Sequence, residues 1–378
     1  MTYQTTINHS APSNEENYLH EVNQHIFNDP NGNEYVIGKG ICFIEGMGLT
    51  HNLDLDTLLD DTVAMAAFVK LVGSLKEEPR MLLCPTNPKI SAKHLNLLRG
   101  MAQIVTYYDL LASKLTFHPY IEAVMQLDPS DWGYLIHYQY YYQARAQKSL
   151  TVGVVEYSIL SMIVFNYLKI VKSEKTKKRI DNIQRGVREN TDSIDQQFKA
   201  LLKKHASLLV IRVDLSYETR LKDANRLTHI SREQISEDKK YFLKEIERQF
   251  PDWLGYVCKL EFAPKKGYHY HCILYFNGNE LRADGVISLA LAKLWREITS
   301  ERKGVTFLCN LHKKGYAHLA IGRIHYTEKE KIKNFRYIAQ YLAKNDLFSC
   351  IKKNGKRSLE KSQVKARETN RGRPRITA

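Results

Sequence analysis

The sequence predicts an α+β protein: a mostly helical N-terminal domain, then a domain built on an antiparallel sheet with helices packed on one face. Three observations lead there. Apolar residues recur at helical spacing through the first half and at strand spacing in several stretches of the second. The second half orders its elements β-α-β-β-α-β-α, with two neighbouring strands joined by a short glycine-containing loop. The charge also changes sign: residues 1–169 carry 11 Lys and Arg against 17 Asp and Glu, while residues 170–378 carry 45 against 24.

A chain of 378 residues suggests two or three domains at ~150 residues each. Its 43% hydrophobic and 26% charged residues are ordinary for a folded protein and exclude wholesale disorder. The six cysteines are scattered without a Cys-x-x-Cys pair. That argues against a zinc finger or a disulfide framework and fits a reducing cytoplasm. The N-terminal stretch has neither the basic start nor the apolar core of a signal peptide. The longest apolar run, Leu150 to Val171, is broken by Glu156, Asn166 and Lys169. Its uncharged part is shorter than the ~20 residues that span a bilayer, so it reads as a buried helix and no membrane partner is expected.

Residues 1–33 are polar and expected to be mobile. Residues 34–171 form the helical domain, opening on a short hairpin within Glu34–Gly48, where glycines break an apolar run. Leu55, Leu58, Leu59, Val63, Ala66 and Ala67 then recur at intervals of three and four, and Ser91 can cap a helix through Leu98. "YQYYYQ" (Tyr138–Gln143) reads as packing aromatics. Residues 172–204 are charged and lack proline, as in a solvated helix or helix pair linking the halves. Residues 205–346 form the sheet domain. Ser207–Tyr217 is its first strand, and a helix follows at Ser231–Phe250 with Ser231 as N-cap. Strands come at Gly255–Ala263 and Tyr268–Phe276, a helix at Ile287–Thr299, a strand within Tyr316–Tyr326, and a helix at Glu328–Asp346. Residues 347–378 form a basic tail. The net +15, concentrated in the second half, points to a polyanion and most often to nucleic acid.

The chemistry concentrates in "KLEFAPKKGYHYHCILYFNG" (Lys259–Gly278). A three-residue loop, Lys265-Lys266-Gly267, pairs Pro264 with Tyr268 and sets Glu261 opposite His271. Glu261, His269 and His271 then share one sheet face, a donor set for a divalent ion with open positions. A four-residue loop would put Glu261 opposite Tyr270, on the other face, so the metal reading depends on register. Taken alone, two histidines on a strand are more often solvent-facing. The second element is "YIAQYLAK". Tyr337, Tyr341 and Lys344 share one helix face by their spacing of four and three, beside an apolar stripe of Phe335, Ile338 and Leu342. A tyrosine hydroxyl can attack a phosphodiester when a metal or another cation polarises it.

Together, a paired-histidine strand and a helix bearing Tyr-x-x-Lys in a basic antiparallel domain resemble the HUH endonuclease superfamily. Its members nick single-stranded DNA to start rolling-circle replication, conjugation or transposition. His269-Tyr270-His271 matches the His-hydrophobic-His motif, and Ser207–Tyr217 stands where the family's first strand motif lies. "YIAQYLAK" resembles the paired-tyrosine helix of microvirus A proteins. From roughly Leu208 to Leu359, "GYHYHCILYFNG", "LWREIT", "GRIHY" and "YLAK" in that order look like the YagK/YfjJ-type C-terminal domain shared with inovirus replication proteins.

The resemblance implies a replication initiator that cuts and rejoins DNA, with Mg²⁺ or Mn²⁺ held by Glu261, His269 and His271. Tyr341 would be the nucleophile, Lys344 would steady the phosphate, and Tyr337 would serve a second transfer. Gln340 replaces the lysine that follows the first tyrosine in the paired-tyrosine proteins. Single-stranded DNA and origin duplex DNA are the implied partners, with a host replication helicase as a further candidate; no Walker motif marks a helicase of its own. A transposase or relaxase, and a non-catalytic DNA-binding regulator, are the alternatives. In the tail, "RGRPR" has the core of an AT-hook. Arg371, Arg373 and Arg375, with Lys352, Lys353, Lys356 and Arg357, are candidate DNA contacts.

Overall fold

The computed structural model describes residues 25–28, 34–37, 62–75, 88–112, 115–137, 149–218, 230–263, 266–344, 349–351 and 357–364. The chain divides into two compact units, Met1–Gln184 with Leu347–Lys352 and Arg185–Asp346 with Lys353–Ala378.

In the first unit, β1 (His25–Asn28) pairs antiparallel with β2 (Glu34–Ile37). The hairpin expected within Glu34–Gly48 therefore starts earlier, and its first strand comes from the stretch expected to be mobile. Residues 38–61, with Leu55, Leu58 and Leu59, and Tyr138–Gln143 lie outside the described residues. Among the described residues its helices are α1 (Thr62–Gly73), α2 (Ala92–Ala112), α3 (Pro119–Val124), α4 (Pro129–His137) and α5 (Val154–Val171), interleaved with the short strands β3 (Lys89–Ser91), β4 (Leu115–Phe117) and β5 (Ser149–Thr151). Ser91 accepts the His94 N–H at 3.3 Å, as a cap for α2. The apolar run is α5. It buries Tyr157, Leu160, Ile163, Val164, Tyr167, Leu168 and Val171 along one face and exposes Val154, Val155 and Met162. Among the described residues it is the one helix long and apolar enough to cross a membrane. Its buried stripe joins the unit's core, where the Tyr167 hydroxyl donates to the Tyr120 carbonyl at 2.9 Å.

The second unit takes the C-terminal part of α6 (Glu174–Lys204), a single helix of 31 residues. Its Ile194, Phe198, Leu201 and Leu202 are buried, so this part is core rather than the solvated linker expected. Four apolar residues at helical spacing suffice to bury a face while the surrounding charges keep the average polarity high. Then come β6 (Ser207–Tyr217), α7 (Arg232–Gln249), β7 (Trp253–Ala263), β8 (Gly267–Asn277), α8 (Asp284–Ile298), β9 (Gly304–Leu308), β10 (Gly322–His325) and α9 (Lys329–Lys344). Ser231 caps α7 as expected, accepting the Gln234 N–H at 3.1 Å. The last stretch is more than a tail: β11 (Ser349–Ile351) pairs with β4, and β12 (Leu359–Lys361) joins the sheet beside β7.

The sheet is antiparallel, in the order β10-β6-β8-β7-β12, and β9 pairs with β6 as well. β6 is its spine. One edge pairs with β8 from Leu208 to Leu215; the other is shared by β10 near its start and β9 near its end. On one face Leu208, Val210, Val257, Ile273 and Tyr275 pack with α6 and with Phe335, Ile338, Ala339 and Leu342 of α9. The opposite face carries α7 and α8, with Trp295 edge-on to Phe242 at 5.6 Å and tilted against Tyr217 at 5.7 Å. Helices thus cover both faces, not the one expected. The reason lies in β6: Leu209, Ile211, Val213 and Leu215 are as buried as Leu208 and Val210, and a strand apolar on both sides needs cover on both.

Candidate functional site

The β7–β8 ladder closes on Ala263 and Gly267 and sets Glu261 opposite His269. The predicted register, with Pro264 against Tyr268 and Glu261 against His271, is therefore off by two residues. Pro264 itself lies outside the described residues. Because side chains alternate, a shift of two preserves the face, and Glu261, His269 and His271 do share it. Gly267 stands at the turn with φ +67°, a conformation that glycine reaches without the Cβ penalty.

The three side chains are 11%, 7% and 6% exposed, in the order Glu261, His269, His271. One ligand atom from each lies within 4.8 Å of the others. Glu261 Oε2 is 3.2 Å from His271 Nε2 and 3.9 Å from His269 Nε2. Both rings are held from behind. His269 Nδ1 meets the Gly267 carbonyl at 3.1 Å, and His271 Nδ1 meets Asp214 Oδ1 at 2.7 Å. With the Gly267 carbonyl and Asp214 beside the Nδ1 atoms, each Nε2 faces Glu261 and offers its lone pair once it is deprotonated, the outer-shell arrangement of metal-ligating histidines. The donor set fits a divalent ion with open positions. Two imidazoles suit Mn²⁺ better than Mg²⁺, which favours oxygen ligands.

Burial pulls the His271 pKa down, but hydrogen bonding and charge from Asp214 and Glu261 outweigh it and push it up to about 9. His269 moves the other way, lowered by burial and by the charge of His271. An ion would have to displace the His271 proton.

Tyr341 comes to this cluster from α9. Its ring stands edge-on to His271 with centroids 5.8 Å apart, and the Arg212 guanidinium lies 4.2 Å from its ring centre. The residue remains 44% exposed, so its outer edge is open to a ligand. Burial of the phenol raises its pKa, Arg212 pulls it down, and the charges of Asp214 and Glu261 raise it further. The carboxylates that add to this rise are those a bound cation would neutralise.

Tyr337, one turn earlier, is 45% exposed and stacks on His318 with centroids 3.9 Å apart; its contact is with that ring. The side chain of Lys344 and all of Lys352, Lys353, Lys356, Arg371, Arg373 and Arg375 lie outside the described residues. Arg357 is exposed and lines a cavity with Leu260 and Tyr270, on the face opposite His269 and His271.

Two site residues are absent from the sequence-based expectation, Arg212 and Asp214 on β6. Their signal is there: two charges alternate with Ile211, Val213 and Leu215 inside an apolar strand, where a charge is costly unless compensated. Asn310 locks β6 here, accepting the Arg212 N–H at 2.9 Å and donating to the Val210 carbonyl at 3.0 Å.

No curated protein and no solved structure matches the chain. A family model described as the YagK/YfjJ C-terminal domain matches residues 171–362, which takes in α6, the whole sheet and α9 and begins well before the resemblance read at Leu208. The match spans just over half of the chain, which therefore belongs to the YagK/YfjJ C-terminal domain family.

Proposed function

We propose that this protein nicks and rejoins single-stranded DNA through a covalent link to Tyr341, and so initiates rolling-circle replication of a phage, prophage or plasmid-like element. The observation that carries the reading is the position of Tyr341 between the Glu261–His269–His271 cluster and the buried Arg212. The basic balance of residues 170–378 supports a nucleic-acid substrate.

In the nicking step the Tyr341 oxygen attacks phosphorus and the P–O3′ bond breaks. The proton lost by the phenol is balanced by one taken up by the departing 3′ oxygen. The 5′ phosphate stays on Tyr341, and the free 3′-hydroxyl can prime synthesis. Glu261, His269 and His271 would hold Mn²⁺ or Mg²⁺, which when bound supplies Lewis-acid polarisation of the phosphate. Arg212 adds a fixed positive charge beside the nucleophile and favours its anionic form. Rejoining is the reverse attack by a 3′-hydroxyl.

The test incubates full-length protein and Mn²⁺ with single-stranded oligonucleotides tiling the DNA around its coding sequence. A denaturation-resistant protein–DNA adduct is expected, lost on chelation and absent in Tyr341→Phe. An undiminished adduct in Tyr341→Phe would remove that residue from the role, and Tyr337→Phe then becomes the informative variant.

A further inference from the structure

The sheet face that carries the histidines runs on to an edge that the nicking chemistry leaves unused. Phe307 of β9 pairs with Asp214 of β6, and Asp214 pairs with His271 of β8. Residues directly opposite in an antiparallel ladder share a face, so Phe307 stands in the row of His271, two strands or about 10 Å away. It is 50% exposed and stacks on His312, with centroids 5.0 Å apart and planes 7° from parallel. The imidazole covers one side of the phenyl ring, and half of the residue's surface stays open.

Tyr337 repeats the arrangement. One helical turn, about 5.4 Å, before Tyr341, it stacks on His318 with planes 12° from parallel and stays 45% exposed. A single segment supplies both imidazoles. Between β9 and β10, which share an edge of β6, the chain sets His312 on Phe307, Tyr316 6.0 Å from Arg212, and His318 on Tyr337. Both stacks therefore border the site of Tyr341 and Arg212.

Phosphates are met by Lys and Arg and do not call for rings. Bases do: each has a flat π-face, and stacking on an aromatic side chain is tolerant of sequence. The bases of a single strand have faces free to stack in this way, which those inside a duplex lack. A parallel ring–imidazole pair with one open face is a stack that a base can extend. Two such pairs beside a nucleophile for phosphodiesters fit an unpaired strand better than the apolar patch of a protein partner.

We propose that the Phe307–His312 and Tyr337–His318 stacks are platforms for unpaired bases, holding nucleotides that flank the phosphate brought to Tyr341. The choice of single-stranded DNA as ligand rests on the nicking reading; the grip by bases as well as phosphates goes beyond it.

The probes are a fluorescent mixed-sequence single strand and an abasic strand with the same number of phosphates, each titrated into full-length protein with chelator present. Native protein should bind the base-bearing strand at least about tenfold more tightly than the abasic one. Phe307→Ala and Tyr337→Ala should each weaken the first by about tenfold, the loss of one stacked base, and leave the second unchanged. Phe307→Trp and Tyr337→Phe keep a ring and should bind like the native chain. Both side chains are exposed, so their truncation leaves the core intact. No preference of the native chain for bases would overturn the proposal. Native-like binding of the base-bearing strand by either alanine variant would overturn it too, leaving that ring to a protein contact. Equal losses on both strands would overturn it by tracing the effect to charge or fold. Because no cleavage is read, base-dependent binding without a covalent adduct in the nicking assay would sink the nicking reading and keep the platforms.

Discussion

A guanidinium held at 5% exposure inside a strand loses most of its hydration, and something must compensate it. For Arg212 the compensation comes from the Tyr341 ring at 4.2 Å, the Tyr316 ring at 6.0 Å and the charge of Asp214. Its Nε finds no hydrogen-bond acceptor among the described residues. A donor left over at a nucleophile is what a phosphate oxygen would take up. Arg212→Met keeps the aliphatic bulk and removes the charge. Adduct formation should fall by about 10²–10³-fold, the cost of losing one fixed donor to developing charge. Mn²⁺ affinity should hold or tighten, because a positive charge beside the ligands is gone. A purely structural Arg212 would weaken metal binding and lower the melting temperature together, and an adduct rate within about threefold of native would end its assignment to the chemistry.

At the scale of elements, Tyr341 is only as well placed as α9. That helix lies on the sheet through Phe335, Ile338, Ala339 and Leu342, and Phe335 stacks on Phe198 of α6 with ring centroids 3.8 Å apart and planes 12° from parallel. Phe198→Ala should cost about 3–5 kcal/mol, the usual range for truncating a buried aromatic. It should slow adduct formation while leaving Mn²⁺ affinity near native, because the ligands sit on the β7–β8 hairpin and not on α9. Denaturant unfolding with parallel metal titration checks this; equal losses in both readouts would tie the hairpin to α9 instead. The hairpin and α9 were legible in the sequence because each carries its signal locally. His269 and His271 alternate within one strand, and Tyr337 and Tyr341 are one helical turn apart. Arg212 and Asp214 meet them only through pairing between β6 and β8, which no local pattern encodes. β9 escaped as well: five residues pairing along one edge alone, with Val305 and Phe307 exposed, leave little periodic trace. The loop disclosed the face of Glu261 but not its partner, since face follows from parity and the partner from the whole ladder.

Across the whole molecule, charge is segregated along the chain, with the excess of Lys and Arg in residues 170–378. A nucleic acid held mainly by such charges is held through counterion release, so affinity must fall with salt. For single strands the slope of log affinity on log salt is about −0.7 per phosphate neutralised. Residues 365–378 contain Lys365, Arg367, Arg371, Arg373 and Arg375 against Glu368 alone. If these side chains meet backbone phosphates, deleting residues 365–378 should make the slope shallower by about 0.7 for each phosphate no longer neutralised. The effect should be similar for any oligonucleotide sequence, because phosphate recognition carries no base information. A minor-groove reader of the AT-hook kind behaves differently: deletion would weaken binding to A·T-rich duplexes far more than to single strands. Fluorescence anisotropy between about 50 and 200 mM salt, on single-stranded and A·T-rich duplex probes of equal length, separates the two. An unchanged slope on both probes would free the C-terminal arginines of any role in DNA binding and leave the charge of the sheet unit to hold the strand.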